Sequence, residues 1–69
     1  MTTRNHNGPL SKREAAVCEL LTLGLSNKEI ALKLGIGRRT VEDHRNAVFE
    51  KMRVRNAVEL TRKILEVAQ

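Results

Sequence analysis

An all-α domain of four short helices is what this 69-residue sequence predicts. Three observations carry that expectation. Two Ser-x-x-Glu pairs, Ser11/Glu14 and Ser26/Glu29, have the spacing of capping boxes, in which each side chain satisfies the other residue's free backbone N–H. A glycine closes each of the apolar-periodic runs that follow, Gly24 after the first and Gly35 after the second. No segment alternates apolar and polar residues as a half-buried strand would.

Residues 1–9 are polar, end in Gly8-Pro9 and read as a disordered tail or the remnant of a linker, which leaves 10–69 as the domain. The first helix starts at Ser11, runs to about Leu23 and turns Val17, Cys18, Leu20 and Leu21 inward. The second starts at Ser26 and stops at Gly35; Leu25 can staple onto Ile30, and Ile30, Ala31 and Leu34 face the core. The third follows Gly37, which is an acceptable N-cap but has no side-chain acceptor, and meets no breaker until about Met52. The fourth begins at Asn56 and continues over 57–68.

Composition narrows the function. Thirteen Lys and Arg against eight Asp and Glu give a net charge of +5, which favours a polyanionic partner. Six basic and three acidic residues lie between Arg38 and Arg55, so most of the excess sits in one segment. One Cys and two His supply neither a disulfide framework nor a zinc set, and no Gly-rich phosphate loop or nucleophile–base pair suggests an enzyme. No apolar run has the length of a membrane span and no signal peptide is recognisable, so a cytoplasmic location is expected. Cys18 reads as a core residue; a redox role would need exposure.

Helices two and three, joined by the Gly35 turn with small Ala31 permitting close approach, have the pattern of a helix-turn-helix. At 100° per residue, Val41, Val48 and Met52 share the core side of the third helix. The opposite side carries Arg39, Asp43 and Asn46 with Glu42 beside them, and Arg38, Thr40, Arg45 and Lys51 lie on the flanks. A recognition helix over about 38–52 has this arrangement: Arg39, Glu42, Asp43 and Asn46 reach base edges, and the flanking Arg38, Thr40, Arg45 and Lys51 meet phosphates. An ordinary solvated face is the bland alternative. A carboxylate can accept from a cytosine amino group or hold Arg39 or Arg45 by an i, i+3 or i, i+4 pair; Glu42 is favoured for such a role, Asp43 for a looser one. Phe49 is expected to pack against the fourth or first helix rather than to stack on a base, and His44 to pack or to meet a phosphate.

Leu10-Ser11-x-Arg13-Glu14, Gly24-Leu25-Ser26-Asn27-Lys28-Glu29-Ile30-Ala31, Arg39-Thr40-Val41-x-x-His44 and Lys51-Met52-x-Val54 together resemble the LuxR/GerE-type DNA-binding domain, and most closely the output domain of FixJ-type response regulators. The resemblance covers about residues 10–68. It implies a sequence-specific transcription regulator that binds promoter or operator DNA as a homodimer. It implies base contacts from Glu42, Asp43 and Asn46 and phosphate contacts from Asn27, Lys28, Arg39, Thr40 and Arg45. Two positions depart from the family pattern: Gly37 stands where Ser or Thr is usual, and Cys18 where Leu is usual.

Apolar residues of the fourth helix span an arc of about 180°, wider than the ~100° that packing on one core uses. Leu60, Ile64 and Val67 are expected inward, leaving Val58, Thr61 and Leu65 for a second copy. Double-stranded DNA and that second copy are the expected partners, with RNA polymerase a further candidate; no membrane, cofactor, metal or small-molecule ligand is expected. Two other readings compete: a sigma-factor region 4-like module docking on polymerase, and a regulator that heterodimerises without binding DNA.

Overall fold

The computed structural model describes residues 9–68, with side chains as far as Glu66. Four helices follow in order: α1 (Lys12–Thr22), α2 (Asn27–Leu34), α3 (Arg38–Met52) and α4 (Ala57–Ala68), and no strand occurs among the described residues. Of the expected tail only Pro9 falls within this range, and the side chain of Val67, expected on the core, lies outside it.

Both capping boxes form. Ser11 Oγ accepts from the Glu14 N–H at 3.1 Å while Glu14 Oε1 accepts from the Ser11 N–H at 2.9 Å. The pair at Ser26 and Glu29 repeats the geometry at 3.2 and 2.8 Å. α4 begins with a variant: Asn56 Oδ1 accepts from the Glu59 N–H, and Glu59 Oε1 accepts from Arg55 N–H rather than that of Asn56.

α1 is the central element, in contact with α2, α3 and α4, while α2 also packs on α3. Val17, Cys18, Leu20 and Leu21 on α1 meet Ile30 and Ala31 of α2, Val41 and Val48 of α3, and Leu60 of α4 in one buried cluster. Fully burying a Val, Leu or Ile side chain contributes about 1.5–3 kcal/mol, so a core this small leaves the domain sensitive to any single loss. Cys18 is buried, and burial pushes its thiol pKa up; the thiolate needed for redox chemistry is disfavoured there.

The first three helices end by the same device. A backbone N–H five residues on closes each end: Leu25 to Leu20 O, Ile36 to Ala31 O, and Val54 to Phe49 O. In each case the residue just before the donor has a positive φ, Gly24 at 90°, Gly35 at 68° and Arg53 at 59°. The donors Leu25, Ile36 and Val54 then turn inward and pack on the core. Arg53 is the one residue here whose side chain disfavours that backbone conformation. Lys63 Nζ helps at this end by donating to Met52 O at 2.7 Å. Arg53→Gly should therefore stabilise the domain by about 0.5–1 kcal/mol in urea unfolding. An unchanged or lower midpoint would mean that the Arg53 side chain itself contributes to the fold.

Candidate nucleic-acid interface

The third helix breaks the rule that the first two obey. α1 and α2 each open on a Ser cap with a Glu in the first turn, which suits the positive end of a helix dipole. α3 opens on Gly37, with no side-chain cap and no acidic residue in its first turn, and its first two residues are Arg38 and Arg39. Two cations at a helix N-terminus oppose the dipole and weaken the helix locally. The same arrangement concentrates positive potential where an anion can approach, and such a conflict between local stability and sequence marks a functional surface.

Around that N-terminus the fold gathers residues distant in sequence. Asn27 and Lys28 from the first turn of α2 line one cleft with Arg38 and Arg45 of α3, Leu21 of α1 and Ala57 at the start of α4. The capping box occupies the N–H groups of Ser26 and Glu29. The N–H groups of Asn27 and Lys28, in the first turn, have no intrahelical acceptor and point out of the helix end. Arg45 is half-buried and lies over the Phe49 ring, its guanidinium carbon 5.2 Å from the centroid. Four of the residues expected at phosphates thus come together.

The outward face of α3 carries Arg39, Thr40, Glu42, Asp43 and Asn46, all exposed. Arg39 Nε lies 3.8 Å from Asp43 Oδ1, an i, i+4 pair with both side chains largely in solvent. An exposed pair at that distance contributes little to stability, but it biases the direction of Arg39. Of the two carboxylates expected to pair with Arg39 or Arg45, Asp43 is the one whose i, i+4 spacing reaches Arg39. Glu42 stands beside the pair, one residue short of it.

Lys51 lies apart from this face. Its position in the sequence predicts a place on the flank of the recognition helix, facing phosphates. In the structure its ammonium is turned away into a joint between α3 and the start of α1. Lys51 Nζ donates to Glu14 Oε1 at 2.7 Å and to Pro9 O at 3.3 Å, and both side chains of the ion pair are only 13% exposed. The carboxylate that accepts from Lys51 is the one that completes the first capping box, so its pKa is held below the usual range, first by Lys51 and then by the Ser11 N–H. Arg13, next to Glu14, reaches Leu34 O at the end of α2 at 3.4 Å. The first turn of α1 thereby ties both helices of the helix-turn-helix in place.

Beside the cleft at the α2 N-terminus, Val58 and Leu65 of α4 are 67% and 58% exposed. With Thr61 they line an apolar groove that Leu21 and Thr22 of α1 complete, and Leu21, Gly24 and Ala57 are common to groove and cleft. Thr61 is half-buried and its hydroxyl donates to Ala57 O at 2.9 Å, so it contributes mainly its methyl group to that groove.

Residues 8–64 match the family described as bacterial regulatory proteins, luxR family. The chain belongs to the luxR family. Its helix-turn-helix is therefore that of a DNA-binding transcription regulator. The chain is 47% identical over 58 residues to the transcriptional regulatory protein UhpA of Escherichia coli, covering 84% of this chain and 30% of UhpA. It is 50% identical over 56 residues to the transcriptional regulatory protein FixJ of Azorhizobium caulinodans, covering 81% of this chain and 26% of FixJ. The C4-dicarboxylate transport transcriptional regulatory protein DctR of Rhodobacter capsulatus is 55% identical over 49 residues, 71% of this chain and 25% of DctR. The chain thus spans less than a third of the length of each of these relatives. No solved structure gives a significant match. Among the described residues no helix is long and apolar enough to cross a membrane, and no group of three His, Cys, Asp or Glu could hold a metal ion.

Proposed function

We propose that this luxR-family domain reads a promoter or operator by placing α3 in the major groove, and that it does so as a homodimer joined through α4. The observation that carries the reading is the α3 N-terminus, uncapped and led by two arginines, facing the cleft that also holds Asn27, Lys28 and Arg45. A phosphate in that cleft accepts from the α2 backbone and from the basic side chains, which fixes the domain on the duplex. Seated in this way, α3 presents Arg39, Glu42, Asp43 and Asn46 to base edges. Asn46 is suited to an adenine, Arg39 to a guanine and Glu42 to a cytosine amino group. Thr40 adds a hydroxyl contact to the backbone at the same helix end. Lys51 takes no part in this contact set.

The groove along Val58, Thr61 and Leu65 supports the dimer, because a two-fold copy of an apolar helix face is its own complement. Its likeness to FixJ and UhpA supports a place as the output module of a cytoplasmic response regulator; RNA polymerase is proposed as a second protein partner. No catalytic role is proposed.

Selection of bound sites from a random duplex pool tests this reading. The chain should enrich a sequence with two related half-sites about one helical turn apart. Leu65→Glu puts a charge in the apolar groove and should enrich single half-sites instead. Paired half-sites recovered equally with Leu65→Glu would remove α4 from the interface. A pool that shows no enrichment would remove sequence-specific binding itself.

A further inference from the structure

Phe49 is the sole Phe, Tyr or Trp of the chain and is expected from its sequence position to pack rather than to stack on a base. It does pack on the core as a partly buried residue, but one face of its ring also meets Arg45, one turn earlier on α3, at 5.2 Å. Arg45 is unusual in a second respect. Its Nε is buried and has no hydrogen-bond partner among the described residues. A buried N–H without an acceptor is unfavourable, so a flexible arginine side chain would leave that position unless something held it there. Arg45 also lines the cleft beside Asn27, Lys28 and Arg38. A cation fixed against a ring gives up its rotamer freedom before a ligand arrives, so less is lost on binding.

We infer that Phe49 is a positioning residue: its ring holds the Arg45 guanidinium in the cleft, with the terminal nitrogens as the donors that meet an incoming phosphate. The inference rests on the DNA-binding reading for its consequence, but the positioning itself is a property of the free domain. Leu in place of Phe49 retains apolar volume and removes the ring face, whereas Tyr retains the ring.

The test has two arms, both on the full 69-residue chain. In the first, the Arg45 side-chain Nε–Hε resonance is followed by NMR without DNA. It should be displaced by the ring current and slow to exchange with solvent in the wild type. Phe49→Leu should return it to the position and exchange rate of the other arginines, and Phe49→Tyr should restore it. In the second, affinity for a short scrambled duplex is measured at low salt for Phe49→Leu, Arg45→Ala and the double variant. Phe49→Leu should weaken binding about two- to fivefold, the range of an aromatic–cation contact, and should have no further effect once Arg45 is Ala. Losses that add in the double variant would show that Phe49 acts through the packing of α3 alone and would overturn the inference, as would an Arg45 resonance indifferent to Phe49→Leu. If the wild type binds no duplex, the DNA reading fails and the NMR arm still decides the positioning.

Discussion

Lys51→Met should lower the stability of the domain by about 2 kcal/mol, a large share of what a domain of this size possesses. At roughly 4–8 °C per kcal/mol, the melting temperature falls by about 8–16 °C. The reason is the sheltered joint between α1 and α3. Removing the ammonium leaves the Glu14 carboxylate, only 13% exposed, without its charged partner and removes the link to Pro9 O. Glu14→Gln separates the two roles of Glu14. The amide oxygen can still accept from the Ser11 N–H and complete the capping box, so only the charge pair is lost.

The same contact sets a pH dependence. In the fold, Lys51 and the Ser11 N–H favour the carboxylate of Glu14, so its pKa lies below the ordinary 4.5 that it has in the unfolded chain. The stability it contributes is therefore complete above about pH 4.5 and is lost as pH falls from there through the folded value. Glu29, lowered by its hydrogen bonds to Ser26, acts in the same direction. Wild type should lose stability progressively below about pH 4.5. Lys51→Met and Glu14→Gln should lose less over the same range and retain the part that belongs to Glu29. Thermal melts between pH 3 and 7 give both results. At neutral pH, well below its melting temperature, Lys51→Met should bind DNA with the salt dependence of the wild type. A shallower salt dependence would put Lys51 back on a phosphate.

Neutralising Lys28 and Arg38 together, as Lys28→Gln with Arg38→Gln, should have the opposite profile. Both side chains are exposed and line the cleft, so stability should change by less than about 0.5 kcal/mol. Each phosphate contact contributes about 0.9 to the slope of log affinity against log salt, so the slope should fall by about 2 per bound chain. At about 0.1 M salt that corresponds to a loss of roughly 60-fold, and the loss should be equal on every duplex. Asn46→Ala supplies the contrast. It should weaken binding to the selected site by about 1–3 kcal/mol and leave scrambled DNA nearly unaffected. Uniform loss from Asn46→Ala, or sequence-dependent loss from the double variant, would exchange the roles assigned to the two groups.

Local signals were legible in the sequence and long-range ones were not. The capping boxes at Ser11 and Ser26 and the glycine ends at Gly24 and Gly35 need only neighbouring residues, and they set α1 and α2 within a residue. The end of α3 uses the same closure as the first two helices, but through Arg53, and a non-glycine residue gives no advance sign of a positive φ. The outward face of α3 followed from its period. Lys51 shows where such reasoning stops: its helical position put it on the flank, and its partner Glu14 lies 37 residues away on another helix. The Arg39–Asp43 and Arg45–Phe49 pairs are both i, i+4, a spacing that sequence can flag, yet only the structure shows which members of each face meet. The cleft at the α2 N-terminus is a product of packing, since it draws residues from all four helices and the turn before α2.

In the proposed complex the arginine-led end of α3 and the start of α2 bind the DNA backbone so that the α3 face can read sequence. The most direct measurement is a titration of the chain against its selected duplex and a scrambled one at several salt concentrations. Affinity for both should fall with rising salt along log–log lines, with the selected site tighter by a factor on the order of 1,000 or more throughout. Equal affinity for the two duplexes, or no binding to either at low salt, would contradict the account.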